Sequence, residues 1–339
     1  MALVTSDPTD EQEKIADLLT HFVCSRIPEA QELHLDDVRR LSGGLSRENW
    51  VFRARWRDGD GNHDLPMIMR RDPAGSLLDT DRYVEFELLR ALESTPIPAP
   101  PAHWIDVDGS WLGSPSLVMG RVEGVCDLFV LNGERPLTER AALARQFLEL
   151  LIAVQQVDWR SLGLGKLLND PGPDAGLTEL GRWEDELRRV QLEPIPELDL
   201  VSRWLRDRAR PSQRTVLVHG DFKPGNALLG GDKISALLDW ETAHLGDPLE
   251  DLGWITNPVR HREHQIPGVW EREQIVEAYT QITGYTVDPD ELLWWNVFSC
   301  WKLAVIVLTG VRVFVDGTFD RVHQSPTWLF RAMFKMMEN

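Results

Sequence analysis

The residues most able to do chemistry lie in one stretch, Leu217-Val218-His219-Gly220-Asp221-Phe222-Lys223-Pro224-Gly225-Asn226. Thirteen residues beyond Asn226, the apolar run Ala236-Leu237-Leu238 delivers Asp239-Trp240-Glu241. Phosphoryl transfer needs a carboxylate to orient a hydroxyl and take its proton, oxygen ligands for Mg2+, and a cation near the γ-phosphate. A loop carrying Asp221 and Asn226 can supply the carboxylate and one amide ligand. A hairpin that returns Asp239 beside that loop adds a carboxylate ligand. Mg2+ suits so sparse a set, because phosphate oxygens and water complete its shell.

Elements must hold these parts in place. Apolar periodicity predicts a helix over 9–25, with Thr9 and Gln12 spaced as a capping box. Trp50, Phe52, Ala54 and Trp56 alternate with Val51, Arg53 and Arg55, which is strand spacing, and Pro66 to Arg71 reads as the returning strand. Between them, Asp58 to Asn62 has the look of a calcium loop. It lacks the glycine and the final glutamate, His63 and Met69 standing there, so we read it as a turn. A helix over 80–93, an extended connector Pro96 to Pro101 and a strand Ser116 to Met119 follow. From Pro136 onward helices dominate, over 138–157, 177–190, 197–208, 247–257, 270–283, 290–310 and 323–337. Two short strands, Thr215 to Val218 and Ile234 to Leu238, interrupt them. The predicted class is α+β, with a β-rich part over 1–120 and a mostly helical part over 121–339.

The pattern HGDxxxxN, then DWE, then Gly246-Asp247-Pro248-Leu249-Glu250-Asp251-Leu252-Gly253, resembles the aminoglycoside phosphotransferase and choline kinase-like family. That family is a branch of the protein-kinase-like fold, and the step from Asp221 to Asn226 matches the kinase catalytic loop HRDxxxxN. The resemblance covers roughly 38–310. It implies a bilobal fold with a small antiparallel sheet plus helix, a larger helical lobe, and ATP with Mg2+ as cofactors. It makes Asp221 the base and Asn226 and Asp239 the Mg2+ ligands. Lys223 matches the catalytic-loop lysine that meets the γ-phosphate, or is a surface residue. Glu241 serves either the metal's surroundings or the fold. Asp247 and Asp251 read as structural: Asp247 as a helix cap before Pro248, Asp251 as a brace for the catalytic loop. His219 reads as a hydrogen-bonding partner of the loop.

By the same resemblance, Ser42, Gly43, Gly44 and Ser46 form the loop over the nucleotide phosphates, where glycines permit close backbone approach. Arg70 takes the place of the phosphate-binding lysine, with Arg71 its neighbour on the other strand face. Glu85 is its helix partner, with Glu87 the alternative. Adenine is expected at the crossing between lobes, over Val118 to Val122, with Met119 and Val122 as its contacts. Gln155 and Gln156 stand where relatives often carry a histidine, and only a structural consequence is expected.

The acceptor is not fixed by motifs. Relatives include kinases of antibiotics, choline, sugars and homoserine. The stretch Trp294 to Ala304 resembles a helix of kinase domains fused to acyl-CoA dehydrogenases. Trp254, Trp270, Trp294, Trp295 and Trp301 are core residues or ring-stacking surfaces. Arg260, His261, Arg262 and His264 form a basic island, read as a solvated loop, with reception of an anionic substrate group as the alternative. Thirty-six basic residues against fifty-four acidic ones give a net charge of -18, which disfavours nucleic acid and anionic membranes. Three scattered cysteines and a polar start without a signal-peptide pattern suit a reducing cytoplasm. The apolar run Leu303 to Val315 is too short to span a bilayer. The reading is an ATP-dependent kinase of a small hydroxyl compound. An antibiotic-inactivating kinase and a nucleotide-binding scaffold are the rivals, and the oligomeric state is open.

Overall fold

The computed structural model describes residues 8–41, 48–72, 81–317 and 325–338. The chain divides into two compact units, 1–93 with 100–122 and 94–99 with 123–339.

The first unit is a sheet with two helices. α1 (Pro8–Arg26) leads into β1 (Gln31–Arg40), β2 (Glu48–Asp58) and β3 (Gly61–Arg71), then α2 (Arg82–Leu92), β4 (Ala102–Asp106) and β5 (Ser116–Gly120). The strand order is β1-β2-β3-β5-β4, antiparallel throughout. Strand alternation sorts the side chains. Trp50, Phe52, Ala54, Met67 and Met69 share one buried cluster with Ile15, Leu19, Phe22 and Val23 of α1. Arg70, one residue on from Met69, belongs to the opposite face and meets α2. Thr9 lies inside α1 rather than at its edge, and Gln12 donates instead to the Val38 carbonyl at 2.6 Å. The Asp58 turn is a hairpin turn: its carboxylate accepts from the Asp60 amide and the Trp56 indole.

The second unit is built round one helix. In order come α3 (Leu137–Gln155), α4 (Ala175–Val190), α5 (Pro196–Arg208), β6 (Val216–Val218), β7 (Ala227–Gly230), β8 (Lys233–Leu237) and β9 (His244–Gly246). Then follow α6 (Leu249–Ile255), α7 (His261–His264), α8 (Arg272–Thr283), α9 (Pro289–Val315) and α10 (Thr327–Met337). α9 packs against α4, α5, α6 and α10. The indoles of Trp294 and Trp301 donate to the Leu205 and Leu198 carbonyls of α5, at 2.8 and 3.0 Å. All five tryptophans in question, Trp254, Trp270, Trp294, Trp295 and Trp301, are buried, so they are core. α9 runs past Gly310 to Val315 and is long and apolar enough to cross a membrane. However, 56% of its apolar window is buried inside the protein, as in a core helix. The connector Pro96 to Ala99 belongs to this unit, where Pro98 accepts from the Leu237 amide at 2.6 Å.

Candidate active site

β6 is an entirely buried three-residue strand paired with β9, and the chain turns at its end. Gly220 makes that turn at φ +82, and a Cβ there would lie 2.8 Å from the Thr242 carbonyl oxygen. Only glycine meets both demands at low cost. Asp221 then emerges between two buried residues, Gly220 and Phe222. The Phe222 ring packs edge-on against Phe147 and His219.

The side chains of the loop converge on Asp221. The Lys223 ammonium lies 2.5 Å from Asp221 Oδ2, and both side chains are partly exposed. Asn226 donates through Nδ2 to the same Oδ2 at 2.9 Å and to the Asp221 carbonyl at 3.0 Å. Both partners are acceptors, so the amide nitrogen must face them, and Oδ1 takes part in neither bond. The Leu238 amide donates to the Asn226 carbonyl at 2.7 Å, and Ala227 pairs with Leu237 across the β7–β8 hairpin. The hairpin therefore brings Asp239 to the end of the loop that holds Asn226. Asp239 itself sits at φ +69, a left-handed conformation uncommon outside glycine, asparagine and aspartate.

Behind the loop stands a buried support. Asp251 of α6 accepts from the His219 and Gly220 amides at 2.8 and 3.0 Å. Burial raises the Asp251 carboxyl above its ordinary pKa, opposed by His219 and by these two amides. His219 donates from Nε2 to the Leu238 carbonyl at 2.9 Å, while Nδ1 accepts from the Asp221 amide at 3.3 Å. Both ring nitrogens are thus spent on the loop. Asp247 sits one residue before the helix edge and accepts from the Leu249 amide at 2.7 Å. Burial pushes its pKa up to about 6.

In the first unit, Arg70 Nη1 lies 2.9 Å from Glu85 Oε1. Glu85 is 2% exposed and also pairs with Arg82, whose guanidinium grips Asp72. Sequence reasoning missed Arg82, although an arginine three residues before a glutamate on one helix is a readable pairing signal. Arg71 turns to Glu48 and the Leu112 carbonyl. The Gly120 and Arg121 amides are taken by the Pro101 and Pro66 carbonyls. Met119 is buried in the sheet and Val122 is partly buried just beyond it. Ser42, Gly43, Gly44 and Ser46 lie outside the described residues.

One further expectation changes. The basic island is not a solvated loop: Arg260 and His264 are buried, Arg260 pairing with Glu263 and stacking over the Trp254 ring at 4.2 Å. Burial, with Arg260 and Lys223 nearby, holds the His264 pKa well below its ordinary value. Only His261 and Arg262 face solvent. Gln155, by contrast, has the structural role expected, donating to the Pro248 carbonyl and accepting from the Tyr279 hydroxyl, each at 2.7 Å.

Residues 37–287 match the model of the phosphotransferase enzyme family. The chain belongs to that family. It has the protein-kinase-like fold. Among solved structures it resembles a protein of Ralstonia eutropha JMP134 assigned to the aminoglycoside phosphotransferases. The TM-score is 0.69 at 22% identity, over 95% of each chain. It also resembles the macrolide 2'-phosphotransferase MphH of Brachybacterium faecium, with a TM-score of 0.57 at 21% identity over 94% and 98% of the two chains. Among curated proteins, acyl-CoA dehydrogenase family member 11 of Rattus norvegicus is 31% identical over 75% of this chain. The chain spans about a third (33%) of that relative's length.

Proposed function

We propose that the chain transfers the γ-phosphate of ATP to a hydroxyl of a small molecule, with Asp221 as base and Asn226 and Asp239 as the Mg2+ ligands. The observation that carries this reading is the convergence on Asp221. Asn226 fixes the carboxylate through its nitrogen while its oxygen stays available, and the Leu238–Asn226 bond ties the second acid to the same place. The candidate ligand atoms are all hard oxygens, which suits Mg2+ rather than a softer metal. Mg2+ held there would neutralise charge on the nucleotide phosphates.

Asp221 orients the acceptor hydroxyl and takes its proton. Lys223 neutralises Asp221 before substrates arrive, and a phosphate group would compete for the same ammonium. Arg70, locked by Glu85, offers a fixed guanidinium to the α- and β-phosphates. The filled metal and base positions speak against a scaffold without activity.

The acceptor we favour is a metabolic hydroxyl compound. Identity is 31% to an acyl-CoA dehydrogenase family member and 22% or lower to the antibiotic-kinase structures compared above. Burial of the five tryptophans also withdraws them as stacking surfaces for sugar-like rings. The test is ADP release measured against alcohols, sugars, hydroxyacyl thioesters and antibiotics, alongside Mg2+-dependent thermal stabilisation by ATP. Asp239→Ala should abolish the stabilisation, and Asp221→Asn should keep it while slowing turnover about 10²–10⁴-fold. Near-full turnover in Asp221→Asn would sink the assignment of the base.

A further inference from the structure

Lys302 stands in the middle of α9, 2% exposed, among Phe298, Trp301, Ala304 and Val305. A buried ammonium costs several kcal/mol unless it is paired, and an apolar residue of similar volume often serves stability as well or better. Packing therefore does not explain a lysine here. Its contacts do. Nζ donates to the Gly220 carbonyl at 2.7 Å, and it lies 3.4 Å from Glu250 Oε1 and 3.8 Å from Glu179 Oε1. The rings of Trp183 and Trp254 flank it at 5.2 and 5.3 Å.

Glu179, His244 and Glu250 by themselves have the spacing of a metal-binding group. The positive charge is already supplied by the chain, from Lys302 and from Arg182, whose guanidinium is 2.5 Å from Glu179. Burial works against the Glu179 carboxylate, yet Arg182, His244 and Lys302 hold its pKa well below the ordinary value. The cluster is an ion network with Lys302 as its outlet toward the loop.

The outlet reaches one particular peptide. His219 and Gly220 are buried, so their backbone groups need partners. Asp251 takes both amides, the Thr242 hydroxyl donates to the His219 carbonyl at 3.1 Å, and Lys302 donates to the Gly220 carbonyl. The Gly220 carbonyl and the Asp221 amide belong to the same planar unit. Lys302 holds that plane at its carbonyl end, and His219 Nδ1 accepts at its amide end. Glycine at 220 adds no side-chain restraint of its own, so these two contacts set the direction in which Asp221 leaves the turn.

We propose that Lys302 is a positioning residue for phosphoryl transfer, its ammonium braced by Glu179 and Glu250 so that it clamps the Gly220 carbonyl and aims Asp221. This rests on Asp221 being the base. The test compares wild type, Lys302→Met and the double variant Lys302→Met/Glu250→Gln. Each is assayed for Mg-ATP turnover with the acceptor found by ADP release, or with water as acceptor. Lys302→Met should lower kcat about 10²-fold, the usual cost of a misplaced catalytic group, while KM for ATP stays within about twofold. Removing Lys302 leaves Glu179 and Glu250 with one cation fewer; the double variant takes away one of those negative charges while the glutamine can still accept from His244, so it should regain part of the melting temperature lost in the single variant but remain slow. Recovery of kcat together with melting temperature would reduce Lys302 to a stabilising residue and overturn the proposal. So would a Lys302→Met enzyme within about threefold of wild type. Asp221→Asn, run in parallel, separates this failure from failure of the base assignment.

Discussion

Asp251 and Gly220 are 31 residues apart in sequence, yet the Gly220 amide ends on Asp251 Oδ1 at 3.0 Å while Oδ2 takes the neighbouring His219 amide at 2.8 Å. One carboxylate on α6 thus satisfies two consecutive buried amides at the turn that launches Asp221. A turn with φ +82 and no backbone ladder of its own needs such an external acceptor.

Asp251→Ala should therefore leave two buried N–H groups without acceptors. The expected loss is about 2–4 kcal/mol of folding stability, read by urea unfolding. Turnover should fall as well, because the loop that carries Asp221 loses its anchor. A variant that unfolds at the wild-type urea midpoint would show that water or another group replaces the carboxylate.

His244 gives the ion network a pH dependence. Burial pulls its imidazole down, but Glu179 and Glu250, with the Glu250 hydrogen bond, reverse this and carry the pKa up to about 9 from an ordinary 6.5. Arg182 on α4 opposes the rise, and Lys302 of α9 sits against both glutamates. The folded-state pKa is raised, so the stabilisation is complete below about pH 6.5 and is lost as pH climbs through about 9. The shift corresponds to about 3 kcal/mol. Urea midpoints measured from pH 6 to 9.5 should fall across that window in the wild type and much less in His244→Gln. Equal slopes in the two proteins would place the charge elsewhere.

The convergence of Asp221, Lys223 and Asn226 was legible because its geometry is local. Asp221, Lys223 and Asn226 lie within six residues of one loop, and a spacing that short limits where the side chains can go. Strand β2 was legible because Trp50, Phe52, Ala54 and Trp56 alternate without interruption. Strand β1 was not. It carries two irregularities of register, and Glu32 and Asp37 sit at positive φ, so period-two alternation is broken twice in ten residues. Strand β4 was hidden for another reason: it is an edge strand emerging from a proline run that reads as coil. Lys302 and Arg260 illustrate the remaining gap. Charged residues ordinarily face solvent, and only long-range pairing shows that these two are buried. No local pattern encodes a partner 82 residues away, as Gly220 is from Lys302.

Helix packing supplies a prediction in which two chemically identical substitutions act in opposite directions. Gly253 lies on α6 where it crosses α9, and a Cβ there would meet Trp295 Cβ at 2.5 Å and the Trp295 backbone carbon at 3.0 Å. The obstacle is backbone and Cβ rather than a movable side-chain tip, so α6 would have to shift, and with it the Asp251 brace two residues earlier. Gly253→Ala should cost about 1–3 kcal/mol, the usual range for overpacking, and should lower kcat as well. Gly181 lies on α4, and a Cβ there would find no atom within 4 Å. Alanine at that position only restricts the unfolded chain and improves helix propensity, so Gly181→Ala should add about 0.5–1 kcal/mol and leave turnover unchanged. Urea unfolding of the two variants side by side checks both signs. A Gly253→Ala protein as stable as wild type would mean that α6 and α9 are held less closely than these distances require.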